Sequence, residues 1–198
     1  MRYPKAIQNL IDKLSLLPSV GPKTAERYAF FLFNQAETRL AELAKAISEV
    51  KRETAVCQSC LAIAESSPCI ICSDTNRNQS TVCVVENIQD LVAIESTRQY
   101  NGRYFVLGGL IDTINSVGPE NLNTTKLAKL IQTGQIKELI LALNFTLEGE
   151  TTALYLNKTF REKLKITRLA KGLPAGSDLE YADQTTLTSA LTNRGEIN

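Results

Sequence analysis

The sequence predicts a multidomain α/β protein. Its parts are an N-terminal helix-hairpin-helix, a small four-cysteine element, a parallel-sheet domain and a C-terminal helical segment. Three observations carry this. Apolar residues recur at helical spacing over residues 5–52, and four cysteines interrupt all periodicity between 57 and 72. Short apolar runs then alternate with helical ones to about residue 170. The expected domains are 1–53, 57–72, 80–175 and 176–198. With 198 residues, no tryptophan and only 6% aromatics, the core must rest on Leu, Ile, Val and Ala.

Residues 5–17 place Ile7, Leu10, Ile11, Leu14 and Leu17 three and four apart, which predicts an amphipathic helix. The loop Pro18-Ser19-Val20-Gly21-Pro22 follows. A second helix then carries Ala25, Tyr28, Ala29 and Leu32, and a third, over about 36–52, carries Leu40, Leu43, Ala44, Ile47 and Val50. Gly21 is expected to turn with positive φ and to let a ligand approach without a Cβ in the way. Pro22 suits the first turn of the second helix, whose unpaired amides can face an anion. Lys23, Thr24 and Arg27 flank that point, so the loop predicts a grip on the nucleic-acid backbone that reads no bases. A plain hairpin with solvated cations is the alternative. Residues 1–54 hold nine basic and six acidic residues, while the remainder holds thirteen and fifteen, so the positive field is local to the N-terminal quarter. The Gly-Pro-Lys-Thr string follows a helix and lacks the spacing of a nucleotide-binding Walker loop.

Cys57-Gln58-Ser59-Cys60 and Cys69-Ile70-Ile71-Cys72 form two C-x-x-C pairs eight residues apart. Two such turns close a tetrahedral shell of four sulfurs, which suits one structural Zn2+ and leaves no open position for Lewis-acid chemistry. A redox pair or two disulfides are the competing readings. Cys83, inside the run Thr81–Val85, reads as a small buried hydrophobe.

Strands are expected at 81–85, 103–107, 138–143 and 165–170, with helices at 88–96, 122–133, 150–164 and 180–191; the tail 192–198 is expected to fray. Glu86 closes the first strand of this sheet, and the third runs into Asn144-Phe145-Thr146-Leu147-Glu148-Gly149-Glu150, so topology brings both to one carboxyl edge. Here the chain resembles the Toprim fold, whose members hold Mg2+ with a glutamate after the first strand and an Asp-x-Asp after a later one. Glu86 matches the first, and Glu148-Gly149-Glu150 matches the Glu-Gly-Glu that often follows the Asp-x-Asp, but Asn144 and Thr146 stand where the aspartates belong. Neutral oxygens supply no charge to a hard dication, which argues against phosphodiester cleavage.

The whole order of elements resembles the RecR family of bacterial recombination mediators. The strings that carry the resemblance are Leu17–Ala25, Pro68–Asp74, Asn144–Glu150 with Thr152–Leu156, and Gly172–Asp183. The resemblance implies a non-catalytic DNA-repair factor that works with RecO and RecF to load RecA at single-strand gaps. It further implies a tetrameric ring assembled through the N-terminal helices and an exchanged C-terminal segment. DNA contacts would fall on Lys23 and Arg27, zinc ligation on Cys57, Cys60, Cys69 and Cys72, and RecO binding on the face around Glu86, Asn144 and Glu148. Two departures from the family pattern lie at the sheet edge. Gly108-Gly109-Leu110 stands where relatives carry His-Gly-Ala, and Phe145 where they carry proline.

The chain has no histidine, which excludes Ser–His–Asp and Cys–His nucleophilic sites and every imidazole-held metal. Neither a signal peptide nor a membrane span is expected, so the expected place of work is the cytoplasm, at the nucleoid. Two other function classes stay open: a Toprim nuclease or topoisomerase with unusual ligands, and a zinc-stabilised module that binds only proteins.

Overall fold

The computed structural model describes residues 3–195. The expected fraying of the tail lies in part outside the described residues. The chain divides into two compact units, 1–54 and 55–198.

The first unit holds α1 (Lys5–Leu14), α2 (Pro22–Phe33) and α3 (Glu37–Arg52). Ala25 and Ala29, one turn apart on α2, are fully buried against Ile11, with Ile7, Leu10, Leu14 and Val20 packed around them. Alanine at both positions lets α1 and α2 approach closely. Helix α1 stops at Leu14, short of the expected residue 17. Leu16 and Leu17 instead form turns whose amides bond the carbonyls of Lys13 and Leu14. Helix α3 buries none of its residues, and Leu43, Ile47 and Val50 stay exposed along it.

The second unit opens with an antiparallel pair, β1 (Ala55–Val56) and β2 (Ile63–Ala64), followed by the single turn α4 (Ile70–Ser73). An α/β layer follows: β3 (Asn78–Val85), α5 (Ile88–Ser96), β4 (Gly102–Val106), α6 (Thr124–Gln132), β5 (Glu138–Ala142), α7 (Leu147–Phe160) and β6 (Lys165–Arg168). The four strands are parallel in the order β4-β3-β5-β6. Parallel strands covered on both faces read as continuous apolar runs, as Val82–Val85 does. Alternation along β3 sends Val82 and Val84 to one face, where α6 and α7 supply Leu127, Ile131, Leu156 and Phe160. Cys83 and Val85 face the other side with Tyr104, Val106, Leu91 of α5, and Cys57, Cys60 and Cys69. The cysteine element thus covers the sheet where a second helix would otherwise lie. Burial pushes the Cys83 thiol up to about 12, as befits a packed hydrophobe.

Helix α7 begins at Leu147, three residues before the expected start. Thr146 caps it by accepting the Gly149 amide at 3.2 Å, and Glu148 and Glu150 in its first turn suit the positive end of the helix dipole. The C-terminal segment forms a single 3-10 turn at Leu179–Tyr181 and α8 (Gln184–Thr192), capped by Asp183 through the Thr186 amide. No helix among the described residues is long and apolar enough to cross a membrane.

Candidate functional site

Three places bring chemistry-bearing side chains together: the α1–α2 loop, the cysteine element and the carboxyl edge of the sheet.

In the loop, Gly21 has φ −78° and ψ 169°, which is ordinary extended backbone, so the expected positive φ is wrong. The left-handed residue is Ser19, at φ 63°. Gly21 matters for space instead. A Cβ built there meets nothing within 4 Å, so the backbone is open to an approaching group. It is the N-cap of α2 with Pro22 at the first helical position, and no side chain caps this end. The amides of Lys23 and Thr24 find no backbone acceptor, as at any uncapped helix start. Lys23 and Arg27 lie one turn apart on the exposed side of α2, Thr24 is half-buried, and neither cation forms an ion pair among the described residues. Glu26, in the second turn of α2, accepts a hydrogen bond from Tyr3, which raises the phenol pKa. Arg27 reaches over the Tyr28 ring at 5.7 Å.

In the second unit, the β1–β2 hairpin carries Cys57 and Cys60 on its turn, closed by the Cys57 amide on the Ala62 carbonyl at 2.8 Å. Cys69 is the N-cap of α4, its sulfur accepting the Cys72 amide at 3.4 Å, and the Cys69 amide donates to the Cys57 sulfur at 3.4 Å. All four sulfurs lie within 4.8 Å of one another, Cys60 and Cys69 at 3.6 Å, and none is in a disulfide. A tetrahedral ion with bonds of ~2.3 Å separates its sulfurs by about 3.8 Å, so these residues fit a four-thiolate metal. The four thiols split, with Cys57 and Cys72 held below their ordinary value and Cys60 and Cys69 above it. Burial alone would push Cys57 up, but the backbone amides of Cys60, Cys69 and Ser59 hold it below its ordinary value. The Cys60 thiol holds Cys72 down to about 5, and Arg103 adds to that, while Cys60 itself is pushed up by the same contact and by burial. Behind the element, the Cys60 carbonyl takes the Val106 amide of β4 at 2.8 Å. Arg77 pairs with Glu95 of α5 and tethers the chain leaving α4.

At the carboxyl edge, Glu86 follows β3 and Asn144 follows β5, the two neighbouring strands whose connections leave in opposite directions. That is the crevice where α/β sheets place ligands. Asn144 donates its amide to Glu86 at 3.2 Å, so the expected meeting of these two loops occurs. They line a cleft of about 550 Å³ with Asp112, Thr146 and Glu148. Its floor turns at Gly108 and Gly109, with φ 83° and 151°, conformations that favour glycine. Gly149 is required for a different reason, because a Cβ there would collide with the Asn144 carbonyl. Thr152, fully buried, accepts the Ile111 amide at 2.8 Å and ties the cleft wall to α7.

The edge does not assemble a metal-binding carboxylate cluster. Among the described residues, only the four cysteines bring three or more Cys, His, Asp or Glu ligand atoms together. Glu86, Asp112 and Glu148 form no ion pair among those residues, whereas Glu150 turns away to Arg168 and Lys171. Sequence reading missed that pair and their stacking on Phe145. That arrangement forms only in the folded sheet, where the parallel register sets Arg168 beside Leu141 at the end of β5.

Residues 7–51 match the family described as RecR, helix-hairpin-helix; residues 80–170 match the Toprim domain; and residues 172–194 match RecR, C-terminal. The chain is 47% identical to the recombination protein RecR of Bifidobacterium animalis subsp. lactis, over 100% of this chain and 99% of that relative. It is 45% identical to the recombination protein RecR of Staphylococcus aureus, with 100% of both chains covered.

Proposed function

The chain belongs to the RecR family of recombination proteins, and from that premise we propose that it is a DNA-binding clamp and adaptor with no chemistry of its own. It holds DNA through phosphate contacts from Lys23, Arg27, Thr24 and the open backbone at Gly21. The single observation that carries this is the start of α2, which exposes two unpaired cations beside free amides and holds no acid in its first turn. Anionic strands suit such a site, and bases are not read.

The cysteines hold one Zn2+, which maintains structure; a closed four-sulfur shell leaves no coordination site for substrate. The working parts are 1–53 for DNA, 57–72 for zinc, 80–175 for partner binding and 176–198 for assembly. The exposed Phe31, Phe33, Ile47 and Val50 of the N-terminal helices support a homo-oligomer, which we read as a tetrameric ring. A ring multiplies modest single contacts, which suits a unit whose local charge is small. RecO docks on the face of Glu86, Asn144 and Glu148, and together with RecF the assembly loads RecA at single-strand gaps, at the nucleoid. Neutral Asn144 and Thr146 support the absence of catalysis.

The test is a salt-titrated DNA-binding measurement on Lys23→Glu with Arg27→Glu. Affinity should collapse, and the slope of log K against log salt should lessen by about 1.8 for two lost phosphate contacts. Unchanged affinity would remove the hairpin from the proposal. Mg2+-dependent nicking that disappears in Glu86→Ala would establish the nuclease reading instead.

A further inference from the structure

Phe145 occupies the turn between β5 and α7, one residue beyond Asn144 in the cleft, and the residue is 46% exposed. The ring is not loose. The Arg168 guanidinium carbon lies 4.4 Å from its centroid and the Lys171 ammonium 4.7 Å. Both cations are fixed by one carboxylate, Glu150, at 2.5 and 2.6 Å, and Arg168 also donates to the Asn144 carbonyl at 3.4 Å. A hollow of about 280 Å³ beside the ring is shared by Lys171, Asp183 and Thr186. Phe145 is thus a half-exposed aromatic held in place by charged neighbours, beside an open hollow.

We infer that Phe145 is the anchor of the partner face, and that the partner presents a basic surface with an apolar side chain to fill the hollow beside the ring. The inference rests on the reading of the Glu86–Glu148 face as a protein-docking site. Binding energy concentrates at aromatic residues flanked by arginine, above all where the ring is already immobile and loses little freedom on contact. Charge selects the partner. Glu86, Asp112 and Glu148 line the adjoining cleft without ion-pair partners among the described residues, while the two cations at the ring share Glu150, and Asp183 also lines the hollow beside them. A basic protein surface is attracted to that edge and a phosphate backbone is repelled.

The experiment titrates full-length chain against RecO of the same genome, by calorimetry at low and moderate salt, with DNA binding measured in parallel. Phe145→Ala, whose ring is largely outside the core, should weaken RecO binding at least tenfold and leave DNA affinity and thermal stability unchanged. Lys171→Gln, which leaves the ring in place but loosens its clamp, should cost about threefold. Glu148→Lys reports the face independently. If Glu148→Lys loses RecO and Phe145→Ala does not, the anchor is overturned while the docking face stands. If neither changes binding, the face itself falls. If Phe145→Ala weakens DNA and not RecO, the ring serves nucleic acid and the inference is wrong.

Discussion

Helices α2 and α7 begin in opposite ways. Helix α2 opens on Gly21 with no side-chain cap and no acid in its first turn, and it adds Lys23 and Arg27 to an end that is already positive. Helix α7 opens on Thr146, which takes the Gly149 amide, and places Glu148 and Glu150 where they neutralise the same dipole. One start is left ready for an external anion and the other is satisfied from within. The contrast supports the proposed division, with nucleic acid at the start of α2 and a cationic partner at the sheet edge.

The two starts belong to different units, and chelating a metal held by the four cysteines would tell those units apart most forcefully. Structural zinc contributes on the order of 10 kcal/mol of folding free energy in small elements of this kind. Chelation should therefore abolish amide-exchange protection at Cys57, Cys60, Cys69 and Val106, while α1 and α2 keep theirs. Equal loss in both units would count against a structural metal confined to the cysteine element. A smaller effect is expected at Gly149→Ala, where the new methyl must displace the Asn144 carbonyl. Overpacking of this sort costs about 1–3 kcal/mol, read from denaturant midpoints, and DNA affinity should not move.

Gly21→Asp would give α2 the cap that α7 already has. Its backbone geometry and open surroundings accept the side chain, so stability should rise by a few tenths of a kcal/mol, roughly the cap advantage of aspartate over glycine. DNA binding should fall nonetheless, because the amides are then occupied and a negative charge sits beside them. A variant that is both more stable and an equal binder would break the contrast. The smallest effect is acid sensitivity at the sheet edge. Hydrogen bonds from Lys171, then Arg168, hold Glu150 below its ordinary 4.5. A lowered folded pKa supplies support above the unfolded value that is lost as pH falls through the folded one. The Phe145 ring signals should thus stay constant through neutral pH and shift only below 4.5.

Much of this was legible from residue spacing. The three N-terminal helices, the four cysteines as one cluster, and the parallel strands all follow from periodicity or motif, because burial dictates those patterns. The start of α7 was placed too late because Thr146 caps ahead of the apolar repeat, and a cap leaves little periodic trace. Strands β1 and β2 and helix α4 are too short for any periodicity; the turns that present their cysteines define them. Gly21 was misread because glycine suggests left-handed backbone, whereas here Ser19 takes that conformation and Gly21 leaves room. The Phe145 clamp was invisible because Glu150, Arg168 and Lys171 meet only once β5 and β6 pair.

The Cys60 carbonyl has a consequence beyond metal binding. Strand β4 is outermost in its sheet, and an outermost strand with free amides is a template on which foreign strands add to build aggregates. By engaging Val106 at that margin, the cysteine turn acts as a guard against self-templating. If the four cysteines hold a metal, its loss would free that amide at the sheet margin.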